Sequence, residues 1–359
     1  MMNQNSIEYA KKLEQSGNWN GAISIYKKLI KFRNPSRKAE TLLQLGKVYK
    51  YQGVFHSSNR RLRVAEAIFT KLGNQNKAQE CKLQEAINFQ YLGKYDLCKR
   101  IFHKLKEFAL YNKDDYLLSH CYMQLGILHR IQHKYETAIK ELKKCETIKR
   151  KCEQFRDLAA TIEQIGIVHE RLHDYSIAEF LYKKSNKLKE NIGYARGIGT
   201  YYLRMGVLYR LLNKYTEARN FLSKSLGSRV AIGDNIGIGS SLYELAKIEQ
   251  DSGNCDYAEY LALQSLAIRE KIEDMRRLGN TFFLLAKLLF HNNKPEYKKY
   301  IELAESLRRQ LKQPIDLIDT LKTRLSFSID SVSRLRQIKN EIKILYNSLD
   351  DEQKKFYKL

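Results

Sequence analysis

The side chains best suited to metal chemistry in this sequence are four histidines, His129 and His133, then His169 and His173, with each pair four residues apart. On a helix that spacing puts two imidazoles on one face, and four on adjacent helices could hold zinc. The two pairs recur one 40-residue step apart, however, at places that elsewhere hold Tyr49, Phe89 and Tyr209, or Gly53, Gly93 and Gly253. They read as substitutions at repeat positions, so no metal ligands are assigned. Gly193, Gly197 and Gly199, echoed by Gly233, Gly237 and Gly239, look like phosphate loops. No Lys-Ser/Thr follows them and no strand precedes them, so they mark helix ends. A nucleophile motif, paired catalytic carboxylates and an HExxH helix are also missing. The expectation is a chain with no catalytic residue and no cofactor.

Cations are the other candidates for chemistry. The net charge is +24 over 359 residues, which draws a protein toward acidic partners: nucleic acid, anionic membrane or acidic peptide segments. Lys104, Lys144, Lys184 and Lys224 form a ladder at 40-residue steps. On the outer face of stacked helices they would make a basic stripe, a track for phosphates or an acidic protein. No aromatic residue interleaves the ladder along the sequence, which argues against stacking on single-stranded bases.

The elements that position these residues are set by the same step. Adding 40 to Gly46 lands in turn on Ala86, Gly126, Gly166, Gly206, Ala246 and Ala286. Nine residues after each come Phe55, Tyr95, Tyr135, Tyr175 and Tyr215, with Cys255 breaking the series; three further on come Ser58, Cys98, Ala138, Ala178, Ala218 and Ala258. A small residue lets paired helices approach, an aromatic fills the start of the second helix, and a second small residue accepts the partner. Turn signals such as "YQGVF", "YLGKY" and "DSGNC" separate the helices. Ala10, Trp19 and Ala22 give an earlier unit. About eight helix pairs fit residues 1–313, and 314–359 reads as a C-terminal helical cap, because a solenoid must cover its last apolar face.

Hydrophobic residues make up 43% of the chain and the three prolines, Pro35, Pro295 and Pro314, stand at helix boundaries. The start is polar and the most apolar run, residues 282–290, contains Lys287. No membrane insertion or leader is therefore expected. Six cysteines without a CxxC pair suit reduced side chains in a cytoplasmic protein.

The columns quoted above resemble the tetratricopeptide repeat (TPR), and the 40-residue step resembles its longer-helix subgroup, found in Pins/LGN-type adaptors, kinesin light chains and Rap-type regulators. The resemblance implies an all-α, right-handed superhelical solenoid whose first helices line a concave groove. By that analogy the groove holds Leu83, Ile87, Met123, Ile127, Ile167, Leu203, Val207 and Tyr243, with Arg130, Arg171 and Arg210 near its mouth. The implied activity is that of an adaptor or regulator binding a peptide or helical segment with apolar anchors and acidic flanks. A nucleic-acid-associated factor using the basic stripe, and a peptide-sensing regulator, stand as alternatives. Gln44, Gln84, Gln124 and Gln164 form a further ladder, expected to bond to one another.

Overall fold

A computed structural model describes residues 6–15, 18–31, 34–272, 274–328 and 330–357. Among them are nineteen helices and no strand. In chain order they are α1 (Ile7–Gln15), α2 (Trp19–Leu29), α3 (Pro35–Tyr51), α4 (Phe55–Lys71), α5 (Gln75–Tyr91), α6 (Tyr95–Tyr111), α7 (Asp115–Ile131) and α8 (Tyr135–Lys151). Then follow α9 (Phe155–Arg171), α10 (Tyr175–Asn191), α11 (Ala195–Leu211), α12 (Tyr215–Ala231), α13 (Asn235–Asp251) and α14 (Cys255–Lys271). The series ends with α15 (Met275–His291), α16 (Tyr297–Gln310), α17 (Pro314–Phe327), α18 (Val332–Asn347) and α19 (Asp351–Phe356).

Helices α3 to α15 are each 17 residues long, and a three-residue turn after each of α3 to α14 gives the 20-residue half-step. One turn residue takes a left-handed conformation, which glycine accepts without penalty; here His133, His173, Asn213 and Lys113 adopt it too. Asn34, Asn74, Asp114, Asp234 and Asp274 cap the helices that open repeats, accepting a backbone N–H three residues on. The small-residue column does what its spacing predicts. A Cβ at Gly126 or Gly206 would stand 2.7 or 2.6 Å from the Cγ of Leu142 or Leu222 on the second helix of the same pair.

Each second helix packs between two first helices, while successive first helices also touch, α5 to α7, α7 to α9, α9 to α11 and α11 to α13. Crowding of the first helices puts them on the inner, shorter radius of a curved stack. The curvature closes on itself. Trp19 Nε1 donates to Ile232 O at 2.8 Å, 213 residues away; Lys312 pairs with Asp96 at 3.0 Å, 216 away; Gln353 Nε2 donates to Gln132 O at 2.8 Å, 221 away. One superhelical turn is thus about five and a half steps of 40, and the turns inside early pairs rest on the connections between late pairs.

This seam is apolar as well as polar. One buried cluster runs through α5, α6 and α7 and on through α11 to α16, uniting Leu83 to Leu128 with Leu203 to Leu311. A Cβ on Gly53 would lie 2.5 Å from Ile272 Cβ, and one on Gly93 would collide with the Leu311 side chain. The last helices complete the seam. Thr137 donates from its N–H and hydroxyl to Glu352 at 3.0 and 2.6 Å, Lys355 pairs with Glu136, and Phe356 meets Tyr135 edge-on at 5.4 Å.

Candidate functional site

The inner face of the first helices gathers side chains that no single repeat could bring together. Of the groove residues expected from the sequence, Ile87, Met123, Ile127 and Tyr243 are half-buried, each on the inner helix of its repeat. Four others are not available to a guest: Leu83, Ile167, Leu203 and Val207 are at most 7% exposed. They sit where neighbouring first helices touch, so apolar area there is spent on repeat-to-repeat packing.

The arginines are more telling. Arg130 and Arg210 are half-buried and Arg171 is exposed on the inner side. Arg210 is already engaged, with Asp251 at 2.8 Å and Glu244 at 3.7 Å. Arg130 and Arg171 have no carboxylate oxygen within 4.0 Å among the described residues. The same holds for Arg204 on α11 and Arg276 on α15, neither of which the sequence singled out. The four form one electrostatic neighbourhood: burial first, then the charges of Arg276, Arg204 and Arg171, pull Arg130 down to about 9. The Nε atoms of Arg130 and Arg204 are buried without a hydrogen-bond acceptor. Arg204 stands one step after Gln164 in the glutamine column, so that column held a usable signal. Arg276 carried none.

The carboxylates nearby make their closest contacts with other groups, while Glu170, Glu244 and Asp316 also favour the charged form of Arg171. Asp274 pairs with Arg277, Glu244 lies between Arg210 and Lys247 at 3.7 and 3.6 Å, and Glu170 accepts from the Tyr182 hydroxyl at 2.7 Å. Asp316 faces His133 at 3.9 Å. Burial raises the Asp316 carboxyl, but the nearby His133 imidazole and the charges of Arg308 and Arg276 outweigh it and hold it below the usual carboxylate range.

The expected glutamine ladder does not bond to itself among the described residues. Gln44 Nε2 donates to Glu40 at 2.8 Å, and Lys50 Nζ donates to Gln84 at 2.6 Å. Nδ1 of His133 and His173 shares hydrogen bonds with the Tyr135 and Tyr175 hydroxyls at 3.0 and 2.7 Å. Lys104, Lys144, Lys184 and Lys224 all lie exposed on second helices. Contrary to the sequence pattern, rings accompany two of them, Lys144 and Lys224. Lys144 and Lys106 flank Tyr122 at 5.3 and 5.9 Å, and Lys224 stands 6.0 Å over Phe221. Tyr122 comes from a first helix, so the juxtaposition is invisible along the chain.

A second set of cations went unseen in the sequence. Lys149, Lys189, Arg229, Arg269 and Arg308, spaced by 40 and finally 39, are at most 5% exposed. Each sits near the end of a second helix and ties adjoining helices together. Lys149 reaches Gln154 and Asp157 at 3.0 and 3.2 Å; Lys189 pairs with Glu163; Arg229 pairs with Asp234 at 2.7 Å; Arg269 donates to Arg277 O and Thr281 Oγ1 at 2.9 and 2.5 Å. The five positions were legible as a column, but cations are rarely expected in a core.

No protein-family model and no curated protein matches the chain. Solved structures do. NprR in complex with its cognate peptide NprX aligns with TM-score 0.59 at 16% identity, over 86% of this chain and 97% of that one. The apo form of RapI aligns with TM-score 0.55 at 18% identity, over 74% and 97%. Aspartyl phosphate phosphatase F from Bacillus subtilis aligns with TM-score 0.57 at 18% identity, over 74% and 70%. At such identities the likeness is one of fold, and the chain is an all-α tetratricopeptide-type solenoid with the architecture of Rap-type repeat proteins.

Proposed function

We propose that this protein is a binding regulator and not a catalyst, and that the lumen inside its first helices encloses a peptide-like segment of a partner. The observation that carries this reading is the pairing, on one inner face, of half-buried Ile87, Met123, Ile127 and Tyr243 with the unpaired Arg130 and Arg171. Apolar side chains take the anchors of a segment, and guanidinium forks take its acidic flanks. That NprR, which shares the fold, is seen with its cognate peptide supports a peptide as guest here. Residues 1–313 serve as the binding solenoid and 314–359 as the cap that holds the seam. A reducing, cytoplasmic setting suits the six free cysteines.

The test is fluorescence anisotropy against an array of short peptides with apolar anchors and acidic flanks. The double variant Arg130→Glu/Arg171→Glu is expected to bind the best peptides at least about tenfold more weakly, while circular dichroism stays unchanged. Binding by the double variant equal to that of the original chain rejects the lumen as the site. The quadruple variant Lys104→Glu/Lys144→Glu/Lys184→Glu/Lys224→Glu is expected to leave peptide binding intact. Loss of peptide binding there, or steeply salt-dependent nucleic-acid binding that only this variant abolishes, moves the function to the outer face.

A further inference from the structure

A cavity of about 240 Å³ lies on the seam, where the start of α6, the α7–α8 turn, the α16–α17 turn and α19 meet. At the density of liquid water it has room for roughly eight non-hydrogen atoms, fewer than a drug-sized ligand carries. Tyr95 and Gln313 line it and are 6% and 7% exposed. The Tyr95 hydroxyl and the Gln313 amide nitrogen have no hydrogen-bond partner in the protein, and a buried donor left unmet costs free energy. Two cations on the wall are engaged by the seam itself: Lys312 pairs with Asp96 at 3.0 Å, and Lys134 pairs with Asp350. Lys99, also on the wall, has no carboxylate oxygen within 4.0 Å among the described residues. The opposite charge comes from Asp316. Among the described residues its carboxylate has one cationic atom in that range, His133 Nε2 at 3.9 Å, which is too long for a hydrogen bond. Ile131 and Pro314 make part of the wall apolar.

We infer that this cavity binds a free α-amino acid with a small, uncharged side chain. Its walls carry the matching groups. Lys99, the Gln313 amide and the Tyr95 hydroxyl donate to a carboxylate, Asp316 accepts from an ammonium, and Ile131 and Pro314 meet a small aliphatic side chain. A simple anion faces the Asp316 charge and gives it no donor, whereas a simple amine leaves the three donors unmet. None of these residues belongs to the inner surface proposed for a peptide, so this is a second site and stands independently of that reading. The early turn supplies Tyr95 and Lys99 and the late turn supplies Gln313 and Asp316. The bound amino acid therefore bridges the seam and stabilises its closed state by linkage.

L-alanine, L-threonine and L-valine are the probes, used on the full chain by thermal unfolding and titration calorimetry, with 3-methylbutanoate and isobutylamine as one-ended analogues of valine. At least one amino acid is expected to bind with one equivalent and to raise the unfolding midpoint by several degrees, while neither analogue does so. Tyr95→Phe is expected to leave the ligand-free midpoint unchanged or raised, because it removes an unmet hydroxyl. The same variant is expected to weaken the effective amino acid at least about tenfold, a separation that a purely structural tyrosine would not give. Lys99→Gln is expected to weaken it similarly; its lysine has no ion pair to lose, so it keeps the test readable should Tyr95→Phe fold poorly. Lys104→Gln is expected to bind as the original chain does. No response to any of the three amino acids overturns the inference and leaves the cavity to water. An equal shift with either analogue, or a shift that survives both Tyr95→Phe and Lys99→Gln, overturns it as well.

Discussion

Single residues in this solenoid are governed chiefly by how far burial has separated them from water. Cys81, Cys98, Cys121 and Cys145 are buried and Cys152 is exposed. Burial pushes the Cys81, Cys98 and Cys121 thiols up to about 12, far from the thiolate form that reacts. Titration of the native protein with a disulfide reagent at pH 8 is expected to modify Cys152 fast and half-buried Cys255 more slowly, with four thiols appearing only in denaturant. Rapid modification of more than two would mean that the helix pairs open far more readily than their packing implies. The same separation from water makes the unmet Nε donors of Arg130 and Arg204 costly where they stand.

At the scale of the helix, the repeat is held by small-residue packing inside each pair and by buried cations between pairs. Arg229 and Asp234, both nearly inaccessible, link the end of α12 to the cap of α13. Removing the carboxylate leaves a buried charge without its partner, an effect worth about 3–5 kcal/mol. Asp234→Ala is therefore expected to lower the urea midpoint sharply, and Arg229→Met, which removes the charge and keeps the volume, to lower it less. If the two variants are equally unstable, the ladder acts by packing alone. The column at 149, 189, 229 and 269 shares the period of the glycines that reveal the fold. Its role was hidden because the partners of these cations lie in the following turn or on a neighbouring helix.

For the molecule as a whole, the decisive feature is the seam after about five and a half repeats. Gly93 and Gly73 both have φ +72°, but a Cβ at Gly73 meets nothing within 4 Å while one at Gly93 collides with Leu311. Alanine at Gly73 is expected to cost only the left-handed strain, about 1–2 kcal/mol. Gly93→Ala is expected to cost more, and to shift the emission of Trp19, the sole tryptophan, which is tied to Ile232 across the same seam. Equal costs would show that the turns separate in solution.

The seam is also expected to be acid-sensitive. Asp316 and Asp274 have folded pKa values held below their unfolded range, so the stability they contribute is present above about pH 4 and is lost as pH falls through and below that value. The thermal midpoint should drop below pH 4, and Asp316→Asn should flatten the drop while lowering the midpoint at pH 7. A profile that Asp316→Asn leaves unchanged removes this residue from the seam's balance.

By itself the sequence determined the helices, their pairing and their 40-residue rhythm, because those depend on local capping, on turn residues and on contacts no more than a repeat apart. Gly46 through Ala286 and Phe55 through Tyr215 were enough for that. The closure of the superhelix was decided only in three dimensions: a small, constant rotation per repeat must accumulate over more than 200 residues before Gly93 meets Leu311 or Trp19 reaches Ile232. No local pattern encodes that sum. The division of the inner face, with Leu83 and Ile167 spent on packing and Arg130 and Arg204 left facing the lumen, follows from it for the same reason.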